Sequence, residues 1–96
     1  MAVVGHAPES GVRVVLARPR SGGPPWLYEG DANTQAGRFR VTAILEDNGK
    51  LSVQISSDAP PGLTDKVRLI LRAAWRRARE DEAAPPLRLA RWRADT

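Results

Sequence analysis

Arg68, Arg72, Arg76 and Arg79 stand at positions i, i+4, i+8 and i+11 of one segment. On a helix turning 100° per residue they share an arc of about 80° and span roughly 16 Å of axis. Four guanidinium groups in such a row suit a polyanion. Each is planar, stays charged, and donates two parallel hydrogen bonds to a phosphate or carboxylate. Arg88, Arg91 and Arg93 follow in the tail and would extend the patch. Trp92 lies between the last two. It either offers a ring to a base or phosphate, or plugs an edge of the core, and the plug is the preferred reading. A nucleic acid is the first partner this chemistry suggests, and an acidic protein surface the second. The bland alternative is that an amphipathic helix simply keeps its charged face in water.

Two apolar residues interrupt the pattern. Leu69 and Ala73 lie off the core stripe of the same helix, close to Lys66 and Arg77. Together they would make a small protein contact, such as a homodimer seam. A protein–protein or self-association module is therefore the alternative to a nucleic-acid binder.

Charge distribution supports a one-sided surface. Residues 66–93 hold nine basic and three acidic side chains, a segment charge of +6 within a chain of net charge +4. Such asymmetry steers an acidic partner without naming it. Thirteen of the fifteen basic residues are arginine, in a chain rich in Ala, Gly and Pro. Those residues share GC-rich codons, which accounts for arginine over lysine but not for the position of the excess.

Enzymatic chemistry finds little footing. The lone histidine, His6, falls in a lead-in where nothing would hold a catalytic base in place. Asp31-Ala32-Asn33 imitates the start of a calcium loop, but Ala36 and Thr42 stand where its glycine and bidentate glutamate belong. Glu80-Asp81-Glu82 reads as a solvated helix end that pairs with Arg76 and Arg77 one turn earlier. Gly22-Gly23 has no following helix and is no phosphate cradle. With no cysteine, thiol nucleophiles, disulfides and cysteine-held metals drop out. The expectation is a non-enzymatic module without cofactor or metal.

These side chains need a frame. Ninety-six residues make one domain, which buries about 65% of its unfolded surface. No apolar run approaches the roughly 18 residues a membrane span needs. Met1–Ser10 lacks the basic start and apolar stretch of a signal peptide. No membrane partner is expected, and a cytoplasmic location is. Residues 1–11 read as a flexible lead-in and 12–93 as the domain.

Within it, Val12–Ala17 is β-branched and bounded by Gly11 and Pro19, which predicts a strand. The three prolines of 19–25 predict a loop, with pairing from Trp26 onward. A second strand is expected over Trp26–Gly30 and a polar turn over Asp31–Gly37. Arg38–Glu46 and Lys50–Ser57 both alternate. A two-residue Asn48-Gly49 turn would set their apolar rows on opposite faces of the sheet. A three-residue Asp47-Asn48-Gly49 loop brings the rows together, with Leu45 opposite Leu51 and Val41 opposite Ile55, and places Gly49 in the left-handed region. Phe39 then faces the core, while Trp26 and Tyr28 fit either face. A helix is predicted over Asp65–Ala83 with Thr64 as N-cap, burying Leu63, Val67, Ile70, Leu71, Ala74 and Ala78, with Trp75 at the stripe's edge. Leu87–Arg93 is expected to return as a last strand. The predicted fold is α+β, in the order β-β-β-β-α-β, an antiparallel sheet of four to five strands with one helix across a face.

Overall fold

The computed structural model describes residues 11–20 and 23–93, with Arg93 described by its backbone. The lead-in before Gly11, His6 and Gly22 lie outside the described residues. The elements run β1 (Val12–Ala17), β2 (Trp26–Thr34), β3 (Gly37–Leu45), β4 (Leu51–Ile55), α1 (Leu63–Glu80) and β5 (Arg88–Arg93). The five strands form one antiparallel sheet in the order β4-β3-β2-β1-β5. The predicted order and class hold. Among the described residues no helix is long and apolar enough to cross a membrane.

The β3–β4 hairpin has the predicted register, with Val41 opposite Ile55, Ala43 opposite Val53 and Leu45 opposite Leu51. Glu46 N–H donates to Lys50 C=O, Gly49 N–H donates to Glu46 C=O, and Gly49 takes φ +90°. That is the three-residue loop closed by a left-handed glycine.

β2 is longer than its composition suggests. It continues through Asp31, Ala32 and Asn33 to Thr34, and the turn shrinks to Gln35-Ala36. Polar residues with low strand propensity stay extended here because β1 and β3 pair with them on both sides. Ala32 is buried, while Asp31 and Asn33 point to the opposite face. The calcium-loop imitation is thus ordinary strand.

The helix is displaced from its predicted bounds at both ends. Gly62, not Thr64, is the N-cap, at φ 84° and without a side-chain cap bond. Leu63 is buried and draws the first turn forward. At the other end Asp81 caps, and the helix stops three residues early. Glu82 enters the left-handed region at φ 52°, and Ala83 N–H bonds to Ala78 C=O at 2.9 Å. This 6→1 closure normally uses glycine at the left-handed position. Glu82→Gly is expected to raise stability by about 1 kcal/mol, because the Cβ penalty disappears. A urea melt showing no gain would mean that Glu82 is compensated in place.

One sheet face packs on α1. Val12, Val14, Leu16, Tyr28, Ala32, Phe39, Val41, Ala43, Leu45, Leu51 and Leu89 join Leu63, Val67, Ile70 and Leu71 in the core, with Trp26, Val53, Ile55, Ala74 and Trp75 against its rim. Tyr28, undecided by sequence, is fully buried. Its hydroxyl donates to Pro86 C=O at 2.5 Å. Burial pushes the phenol above its ordinary range, partly opposed by Arg18. Arg18 donates from Nε and Nη2 to Pro85 C=O, and its backbone N–H donates to Leu87 C=O. These bonds moor the segment after α1 and bring β5 back beside β1.

Candidate nucleic-acid interface

The helical arginine stripe is partly used up by the fold. Arg68 is half-buried and donates from Nη1 to Leu51 C=O at 3.1 Å. The Arg79 guanidinium lies 5.5 Å from the Trp75 ring centre, a cation–π contact. Trp75 in turn donates from Nε1 to Asp47 C=O at 3.1 Å. The two ends of the stripe therefore help clamp α1 onto the β3–β4 hairpin. Arg72 and Arg76 remain exposed beside Trp75, Lys50 and Asn48 in a shallow hollow. Arg77, outside the stripe, pairs with Asp81 at 3.5 Å, one of the expected pairings of the acidic helix end.

The sheet face away from the helix offers a second set of cations. Strand pairing aligns Trp92, Arg13, Asn33 and Arg38 in one row across four strands. Side chains alternate along a strand, and Val12, Val14 and Leu16 of β1 are buried, so Arg13 is on the open face and Trp92 beside it. Trp92 is 56% exposed and does not plug the core. Leu89, three residues earlier and opposite Leu16, is the fully buried inward residue of β5. Arg13 and Arg38 are exposed. Arg38 is steadied by a bond from Nε to Asn33 Oδ1 at 3.3 Å, and Arg13 has no polar partner among the described residues. Arg88 stands four residues from Trp92 on β5, exposed on the same face. Arg40, two residues from Arg38, pairs with Glu29 at 3.9 Å, both well exposed. An ion pair that open to water is weak and easily exchanged.

The row from Trp92 to Arg38 crosses three strand spacings, about 14 Å. Trp92 stands at one end beside Arg13, Asn33 follows, and Arg38 closes the other end. Flat exposed ring, guanidinium groups and a neutral hydrogen-bonding residue are what an unpaired nucleotide strand requires: stacking, phosphate neutralisation and orientation.

The expected contact residues therefore divide between surfaces. Arg68, Arg72, Arg76 and Arg79 lie on the β4 side of the helix. Arg88 and Trp92 lie on the open sheet face. Arg91, opposite the buried Val14, points to the helix side of β5. The Arg93 side chain is outside the described residues. Leu69 is 52% exposed, and Ala73 is exposed beside it on the helix flank that looks toward β5. Sequence reasoning passed over Arg13. Its signal was present, since it is an outward position of a strand whose inward positions are all apolar. What could not be seen was that β5 would return next to β1 and set Trp92 opposite it. Comparison with family models, curated proteins and solved structures finds no match.

Proposed function

We propose that this chain is a single-stranded nucleic-acid-binding module acting through the open face of its sheet. The observation that carries the reading is the cross-strand row in which exposed Trp92 stands directly opposite Arg13. Trp92 stacks on an unpaired base, and Arg13, Arg38 and Arg88 neutralise phosphates around it. Bases inside a duplex have no free face to stack, so the single strand is preferred. The helix contributes the frame and a diffuse positive potential rather than the main contacts. Glu29, paired with Arg40, and Asp31 share this face and leave Arg13, Arg38 and Arg88 to meet phosphates, and binding is the whole activity proposed.

The expected result is measurable with a labelled oligonucleotide and fluorescence anisotropy. Three phosphate contacts give a log–log salt slope of about −2.1 for a single strand. Arg13→Ala reduces that slope by about 0.7 and weakens all sequences alike. Trp92→Ala weakens binding by about 1–3 kcal/mol, the usual worth of one stacked base. Arg72→Ala, on the far side of the molecule, leaves affinity nearly unchanged. Loss on Arg72→Ala with no change on Trp92→Ala would move the site to the helix. Absence of binding at tens of micromolar protein in low salt would end the nucleic-acid reading. The arginines would then be a solvated surface, and self-association or an acidic protein would be the partner to pursue.

A further inference from the structure

Among the described residues β5 is an edge strand, and its main-chain groups divide cleanly. The bond from Arg18 N–H to Leu87 C=O sets the phase of the β1–β5 ladder. By alternation Leu89 and Arg91 turn their N–H and C=O groups toward β1, and Arg88, Ala90 and Trp92 turn theirs outward. One outward carbonyl is already occupied. Arg91 folds its guanidinium back and donates from Nη1 to Ala90 C=O at 2.8 Å. Charged side chains that cover an exposed edge protect it from indiscriminate pairing.

Beside this edge runs a seam between β5 and α1. Ile70, Ala73 and Ala74 form its apolar wall, and Arg77 and Arg91 reach it from opposite elements, with Trp92 at one end. It continues along Ala78 toward Pro86. An added strand would place every second side chain in this seam. The wall suits a small apolar side chain, Arg91 suits a carboxylate beside it, and Arg77 suits a second by exchanging its exposed pair with Asp81.

We propose that the β5 edge takes up an extended acidic segment of a partner protein as a sixth strand, with its alternate side chains entering the seam beside α1. A carboxylate in the seam draws Arg91 away from Ala90 C=O, and the partner's own N–H replaces it there. The edge is thus open to an acidic strand and guarded against others. Such recognition combines main-chain bonds for affinity with side-chain pockets for choice. A second copy of this chain fits poorly. Pairing two β5 strands about Ala90 sets each Arg91 diagonal to the other, with both Arg77 side chains close by, and like charges so placed repel. A nucleic acid fits no better, because a phosphodiester offers acceptors and the outward carbonyls need donors.

The test uses the full chain and a fluorescein-labelled seven-residue peptide in which valine alternates with aspartate and glutamate. Binding at micromolar concentration is expected, at least tenfold tighter than for the same peptide with lysine in place of every acid. Ala90→Pro removes an outward N–H and no β1–β5 bond, so the strand is retained while peptide affinity falls at least tenfold. Arg77→Ala lowers it severalfold. Arg77→Ala, on the helix side, leaves oligonucleotide affinity unchanged, which separates this edge from the open face. Methylation of one central peptide nitrogen is the companion measurement should Ala90→Pro fail to fold, and it too must weaken binding at least tenfold. Equal binding of the acidic and lysine peptides, or no effect of N-methylation, overturns the proposal. So does a concentration-dependent dimer that Ala90→Pro abolishes, because the occupant would then be a second copy.

Discussion

Gly30→Ala is expected to lower stability by about 3 kcal/mol or more. Gly30 lies in the middle of β2, between Leu16 of β1 and Val41 of β3. A Cβ built there would stand 1.9 Å from the Val15 carbonyl oxygen and 2.9 Å from the Leu16 Cα. Both are backbone atoms, so no rotamer change relieves the overlap. β1 must move away from β2. That motion loosens the side-chain packing of Val12, Val14 and Leu16, all essentially buried, and strains the Arg18 and Tyr28 bonds that hold the segment before β5. Overpacking against side chains costs about 1–3 kcal/mol, and an immovable backbone neighbour places this case at or above the upper end. For a domain of this size the melting temperature should fall by roughly 12 °C or more. Urea denaturation followed by tryptophan fluorescence and circular dichroism reads it directly. A midpoint unchanged within error would show that β1 and β2 part without loss, contrary to their role in the core.

Gly49→Ala is expected to cost about 2–3 kcal/mol, from two separable sources. The first is conformational: at φ +90° an L-residue crowds its own carbonyl, at about 1 kcal/mol or more. The second is contact. A Cβ at residue 49 would lie 2.9 Å from the Trp75 ring. The ring must tilt, and its Nε1 bond to Asp47 C=O, worth about 1 kcal/mol, weakens with it. The cation–π contact of Arg79 is disturbed as well. A double-mutant cycle apportions the two. In a Trp75→Ala background the cost of Gly49→Ala should fall by about 1 kcal/mol, leaving the conformational part. An identical cost in both backgrounds would mean that the ring yields freely and the turn alone is responsible.

Some of this architecture was legible in the chain because it depends on short-range alternation. β3 and β4 show period-two apolar rows, and one loop length brings those rows to the same face. A slip of one residue would expose Leu45 or Leu51, so register follows from local pattern and burial. The apolar stripe of α1 follows from its period in the same way, and β1 from β-branched residues between Gly11 and Pro19.

The rest depends on neighbours distant in sequence. Asp31, Ala32 and Asn33 look like a turn in isolation and are strand because β1 and β3 flank them. Glu82 looks like helix and takes the left-handed closure because the chain must return toward Tyr28 and Arg18, whose bonds to Pro86 and Pro85 no local pattern announces. The arginines are the sharpest case. Spacing determined that Arg68, Arg72, Arg76 and Arg79 share a helix face. Tertiary packing decided that Arg68 and Arg79 hold the helix to a hairpin. Trp92, which tail position suggested as a plug, is exposed because alternation along β5 sends it to the open face, while Leu89 points to the core. Strand order then put Trp92 opposite Arg13, although 79 positions separate them in the chain. Alternation assigns each strand its two faces, but which strands lie side by side is set by long-range burial and hydrogen bonding, and that adjacency assembles the proposed site.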